Sequence, residues 1–366
     1  MLDICLMMYL MFNNKAYFSS RARMRCSVLS VFVFYALIAS ASRYPMPSEL
    51  TLAVETDKKV KADAVVAADG TGNFTTVQAA INAAPDNRNT YFYIYIKRGS
   101  YKEVITIPKN KDYIYLYGED AEYTILTFDN YAKRLKPDGT EFGTSGSATF
   151  FANGNFFVAE NLTFANTAGM TAGQALAINI GGARSSFRNC RFLGHQDTWY
   201  AGSGTFQYLK DCYIEGSVDF IFGGSTAFFD ECHIRSTRNG YITAASTPQG
   251  QSFGYIFHSC SITAYLTVAH GSVYLGRPWR PYAKVVFLQS SLGKHIRSEG
   301  WDNWRNVANE STAFYAEYNS TGEGASPGTR VAWSHQLTRK QATDYTYAKA
   351  MGSQHPGFVD DGVAMK

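Results

Sequence analysis

Six short segments along the chain share one order of polar and apolar positions. NLTFANT at Asn161, NCRFLGH at Asn189, DCYIEGS at Asp211, ECHIRST at Glu231, SCSITAY at Ser259 and QSSLGKH at Gln289 each run polar, small or apolar, variable, then apolar. Their starts lie 28, 22, 20, 28 and 30 residues apart. Stacked coils produce such a pattern, because the inward-facing strand is kept in each coil while insertions collect at the turns. The segments therefore predict an all-β parallel β-helix. Phe164, Phe192, Ile214, Ile234, Ile262 and Leu292 form one interior row, and Leu162, Cys190, Cys212, Cys232, Cys260 and Ser290 form its neighbour. A propeller is the rival arrangement, but its blades need roughly 40 residues or more each.

The ends of the chain differ in texture. VVAADGTGNFTTVQAAINAAPDN, from Val65, reads as a strand, a glycine turn and a short helix with Val77, Ala80, Ile81 and Ala84 on one face. Such a helix caps the open end of a solenoid, whose terminal edge has to be covered. DGTG lacks the lysine and spacing of a phosphate loop. YFYIYIKRGSYKEVITIP and YIYLYG continue as strands, and the tail from Gln336 reads as helical and packed along the outside of the coils.

Arg21, Arg23 and Arg25 precede an apolar run that closes on Ala39-Ser40-Ala41, the layout of a secretory signal peptide. Residues 1–41 are read as a leader, with Met24 an alternative start, residues 42–64 as a linker, and residues 65–366 as one domain. The apolar run is short for the ~20 residues of a membrane span, so the mature protein is expected to be extracellular, free of the membrane and monomeric. Asn73, Asn161, Asn309 and Asn319 head possible glycosylation triplets. A formal charge of +4, without a basic tract or a nucleic-acid motif, gives no reason to expect a nucleic-acid partner. Coil stacking at ~4.8 Å would allow disulfides along the cysteine row, but buried free thiols fit equally. No close-spaced Cys or His pairs point to a metal.

Register singles out a candidate site. Asp197 to Asp219 spans 22 residues, as do Gln174 to Gln196 and Cys190 to Cys212. Equal offsets place each pair at one angular position on neighbouring coils, so the two aspartates should sit side by side with the glutamines stacked beside them. Two close carboxyls among aromatics cannot both ionise cheaply, which supplies an acid and a nucleophile or base. Arg277, in YLGRPW, is a candidate for gripping the ionised member through two hydrogen bonds. A solvated ion pair and a structural stack of amides remain open on spacing alone.

QALAI at Gln174, HQDTWY at Gln196 and Asp197, VDFIFG at Asp219 and YLGRPW at Arg277, preceded by GSYKE at Gly99, resemble in order the motifs of the pectin methylesterases. DGTGNFTTVQAAINAAP resembles that family's opening segment, so the likeness runs from Val65 to Trp304. The resemblance implies a right-handed parallel β-helix whose cleft takes methylated homogalacturonan, with no cofactor. It implies Asp219 as nucleophile, Asp197 as acid/base, Gln174 and Gln196 as oxyanion donors, and Arg277 as the group fixing Asp219. It further implies Tyr200, Phe220, Trp279 and Trp301 as sugar-stacking residues, and a Cys212–Cys232 disulfide. Thr144, in the Gly139–Phe150 loop beside the cleft, is added as a substrate contact. Trp199 departs from the smaller apolar residue expected there. Three other readings stand beside this one: a relative acting on another ester or thioester, a polygalacturonase-like hydrolase, whose NTD and RIK signatures are absent, and a non-catalytic carbohydrate-binding solenoid.

Overall fold

The computed structural model describes residues 61–354 and the backbone of two short strands, Val359–Asp360 and Val363–Ala364. The leader and cleavage position expected within residues 1–41, together with Cys5 and Cys26, lie outside the described residues.

The chain is wound as a parallel β-helix. An eleven-stranded sheet takes one strand per coil, from Ala64–Val66 to His335–Gln336. A thirteen-stranded sheet carries two further ladders, joined by the long strands Tyr213–Gly223 and His233–Ala245, which belong to both. Cross-coil pairing puts Phe164 beside Phe192, Phe192 beside Ile214, Ile214 beside Ile234, Ile234 beside Ile262 and Ile262 beside Leu292. The row read from the sequence is therefore the physical one, and it extends back through Leu126 to Tyr101. All of these side chains are buried, and each removes apolar surface worth about 1.5–3 kcal/mol from water.

The polar residue that opens each repeat has a backbone role. Asn161, Asn189, Asp211, Glu231, Ser259 and Gln289 all have φ between 46° and 54°, in the left-handed region. This turns the chain from the eleven-stranded sheet into the next ladder without interrupting the cross-coil hydrogen bonds. The Asn189 N–H donates to the Lys210 carbonyl at 3.1 Å, and the Gln289 N–H to that of Tyr318 at 2.8 Å. Asn and Asp tolerate this conformation best, which explains their share of the positions. Asn319 (φ 51°) opens one more coil, which escaped the sequence pattern because Gly322 stands where the apolar residue should be.

The cysteine row is buried, but it holds free thiols, so the disulfide implied for Cys212 and Cys232 is not formed. Parallel stacking points successive Cβ atoms the same way and keeps them about one strand spacing of ~4.8 Å apart. Each thiol hydrogen bonds to backbone instead: Cys212 Sγ donates to the Phe187 and Lys210 carbonyls, at 3.4 and 3.3 Å. Asn309 is likewise unsuited to glycosylation, since its side chain is buried and donates to the Pro278 and Asn303 carbonyls.

The N-terminal end is closed by the helix Val77–Ala83, which buries Val77, Ala80 and Ile81. Thr76 caps it, and the Glu103 carboxylate accepts the first two free N–H groups, from Val77 at 2.8 Å and Gln78 at 3.0 Å. At the other end, the short helices Arg339–Ala342 and Tyr347–Met351 lie on the outer face of the coils. Leu337, Ala350 and Met351 pack there against Phe228, Ile256, Val286 and Ala316.

Candidate active site

One outward-facing row crosses six coils: Phe151, Asn179, Tyr200, Phe222, Ala244 and Arg277 are consecutive cross-strand partners. A cleft of about 430 Å³ opens over this row. Gln174, Gln196, Asp197, Asp219 and Arg277 all line it, as do Thr144, Tyr200 and Trp279. The glutamines pair across coils in a parallel bridge, and the Ala175 N–H donates to the Gln196 carbonyl at 3.1 Å. The 22-residue offset thus brings both amides and both carboxyls to one wall.

Local backbone aims the acids. Asp197 (φ 66°) and Asp219 (φ 53°) are left-handed, and the strand carrying Asp219 slips register on both sides of Val218. Such a bulge re-aims side chains. Here Phe220 and Ile221 both turn inward and are fully buried, so alternation resumes late and Phe222 reaches the cleft. Gly216 permits the slip, because a Cβ there would stand 2.2 Å from the Phe220 Cβ.

Two of the expected sugar-stacking residues are therefore misplaced. Phe220 is a core residue, and Phe222 lines the cleft instead. Trp301 is 1% exposed and packs on Phe287 and Tyr315; Trp304 takes its place at the cleft. Trp301 bridges to Gly276, which continues the inner row Ile178, Trp199, Ile221, Thr243, and that register was the available signal. Trp199 faces the core against Phe229 and Tyr255, away from substrate.

Arg277 holds Asp219 in a two-point grip. Its Nε donates to Asp219 Oδ1 at 2.9 Å and its Nη2 to Oδ2 at 2.7 Å. Burial is the largest influence on Asp219 and lifts its pKa above the ordinary carboxylate value, while the guanidinium pulls it back down. Asp197 has no such grip. Burial, then the neighbouring Asp219 charge, push it up to about 8, and Arg277 offsets only part of this. Asp219 therefore ionises first, and Asp197 keeps its proton at neutral pH.

That ordering has a stability consequence with a definite sign. An unfolded aspartate loses its proton near pH 4, so from there to about pH 8 folded Asp197 retains a proton that the unfolded chain releases. Its contribution to stability falls as pH rises through this window. Asp197→Asn should gain melting temperature relative to wild type between pH 5 and pH 8; the same offset at both values would refute the assigned protonation.

Amide donors beside a carboxyl pair suit a reaction that develops negative charge on oxygen, as acyl transfer does; glycosidic cleavage develops positive charge on the sugar. Fold and site together define a β-helical carboxylic ester hydrolase. The sequence pattern of the pectinesterases matches residues 63–354. Pectinesterase 31 of Arabidopsis thaliana is 41% identical over 302 residues, which cover 81% of this chain and 91% of that protein. This chain spans about half of some other relatives, such as 54% of probable pectinesterase/pectinesterase inhibitor 20 of the same plant. Pectin methylesterase from carrot aligns with a TM-score of 0.75 at 34% identity, over 81% of this chain and 94% of its own. A pectin methylesterase solved in complex with a hexasaccharide aligns at 0.72 and 32% identity, over 82% and 99%. The chain belongs to the pectinesterase family.

Proposed function

We propose that the protein hydrolyses the methyl esters of pectin's galacturonate chain, giving pectate and methanol. The observation that carries this reading is the asymmetry of the acid pair. Asp219 is gripped by Arg277, whereas Asp197, on the next coil, is pushed up to about 8. Asp219 attacks the ester carbonyl carbon, and its negative charge passes to the carbonyl oxygen. The Gln174 and Gln196 amides face that oxygen, where one well-placed donor is worth about 2.7–4 kcal/mol. Asp197 protonates the methoxide as it leaves, which completes an acyl-enzyme and frees methanol. Now ionised, Asp197 takes a proton from water and so regains its starting state; the hydroxide adds to the acyl carbon, Asp219 is expelled as the carboxylate, and the product acid releases its proton to solvent as pectate. Tyr200, Phe222, Trp279 and Trp304 offer ring faces to the sugars along the cleft. A related pectin methylesterase solved in complex with a hexasaccharide supports an oligosaccharide as the ligand.

The test is methanol release from methylated pectin, followed together with new reducing ends. Methanol without reducing ends is expected; reducing ends without methanol would indicate glycosidic cleavage. The pH profile of kcat/KM should fall on its alkaline side near pH 8, as Asp197 ionises. An alkaline limb that survives in Asp197→Asn with unchanged rate would remove Asp197 from the chemistry.

The proposal places the mature enzyme outside the cell as a monomer. No described helix is long and apolar enough to cross a membrane. Protein secreted by a eukaryotic host should begin at Ser42, as read by N-terminal sequencing; an intact leader on that protein would refute the cleavage.

A further inference from the structure

The guanidinium that grips Asp219 is itself held between rings. Arg277 Cζ lies 3.7 Å from the centre of the Tyr241 ring and 3.8 Å from that of Trp304. Two rings this close to one planar carbon have room only on its opposite faces. The arrangement continues beyond Tyr241, which stacks on Tyr274 with centres 5.2 Å apart and planes within 7°. Arg297 covers Tyr274 at 4.8 Å and pairs with Glu299 at 3.3 Å. Pairing of Tyr241 with Tyr274 across adjacent strands keeps this column in register.

We propose that Tyr241, backed by Tyr274, is a positioning residue: it fixes the plane of the Arg277 guanidinium so that both hydrogen bonds reach Asp219 together. This rests on the esterase reading and deepens it. Trp304 lines the cleft, but Tyr241 is not among the cleft-lining side chains, so it acts through Arg277 and not on the sugar. An arginine side chain has four rotatable bonds, and a two-point grip needs its plane aligned with the carboxylate. The ring faces remove that freedom before substrate arrives, and their negative faces favour the cation. The tyrosine hydroxyl has no part in this, so phenylalanine should serve as well.

The experiment compares wild type, Tyr241→Phe and Tyr241→Leu in methanol release across pH. Tyr241→Phe should stay within about twofold of wild type, because the ring face is kept. Tyr241→Leu should lower kcat about ten- to thirtyfold, the rate equivalent of a partly desolvated cation–π contact, with KM within about twofold. The acidic limb of its profile should move to higher pH, since a loosened arginine stabilises ionised Asp219 less. A folded Tyr241→Leu enzyme with wild-type kcat and an unmoved acidic limb would overturn the proposal, as would a lower melting temperature with no change in either. If Tyr241→Leu does not fold, Tyr274→Leu carries the same comparison with smaller shifts in the same direction, and wild-type values there would overturn it. A wild type that frees no methanol sinks the substrate reading alone. The positioning claim is then decided by carbon-13 NMR titration of labelled aspartates, in which Asp219 must titrate at higher pH in Tyr241→Leu than in wild type.

Discussion

Asp219→Asn should leave the fold intact and lower methanol release by a factor on the order of 10⁴ to 10⁶, the scale on which loss of a covalent nucleophile acts. The substitution keeps the shape of the side chain. It also removes a carboxylate whose charge burial disfavours, so the cost to stability is small beside the cost to rate. Arg277 can still donate to the amide oxygen, but the new side chain presents no anionic oxygen to the ester. Thermal unfolding checks the first half of the prediction and methanol assay the second. A well-folded variant retaining a tenth of the wild-type rate would mean that another group attacks the ester.

A different substitution should strike stability and leave the chemistry alone. Arg330 and Glu317 form an ion pair near the C-terminal end of the coils, with side chains only 2% and 4% exposed. Arg330 Nε reaches Glu317 Oε1 at 2.7 Å and Nη2 reaches Oε2 at 3.2 Å. The remaining donors serve the carbonyls of Arg297, Ser298 and Gly324 at 2.7 to 3.0 Å. One side chain thus ties the backbone at Arg297 and Ser298 to that at Gly324 and to the Glu317 carboxylate. Arg330→Met leaves the Glu317 carboxylate buried without its partner and three carbonyls short of a donor, and should cost about 3–5 kcal/mol. Denaturant unfolding measures this directly. Pairing it with Glu317→Leu should recover much of the loss, because the buried charge is then gone. Arg330→Met with wild-type stability would show that water replaces the arginine without penalty.

The sequence carried the fold through its rows. Phe164 to Leu292, the cysteine row and the 22-residue register of Asp197 with Asp219 could all be counted from letters, because parallel stacking turns equal offsets into spatial neighbours. What could not be counted was the effect of a left-handed residue on side-chain parity. In DFIFG, simple alternation cannot choose the outward phenylalanine, since Asp219 breaks the alternation that the choice depends on. Trp301 and Trp304 were exchanged for a related reason: Trp304 is itself left-handed (φ 61°) and follows the end of the strand-like bridge at Trp301. The cysteines were misjudged through resemblance, not register; their positions were right and their bonding was not. Tyr241 gave no signal at all, because its importance lies in the faces of Arg277, and these exist only once three separate segments have been folded together.

Asp197 and Asp219 are held together by backbone pairing between neighbouring coils, the Asp197 N–H donating to the Val218 carbonyl at 3.1 Å. A rim segment away from the cleft, such as the turn at the fully exposed Leu266, should therefore tolerate changes of length without disturbing the distance between the two carboxyls. For engineering, the same separation offers a frame on which new rims can be grafted one coil at a time.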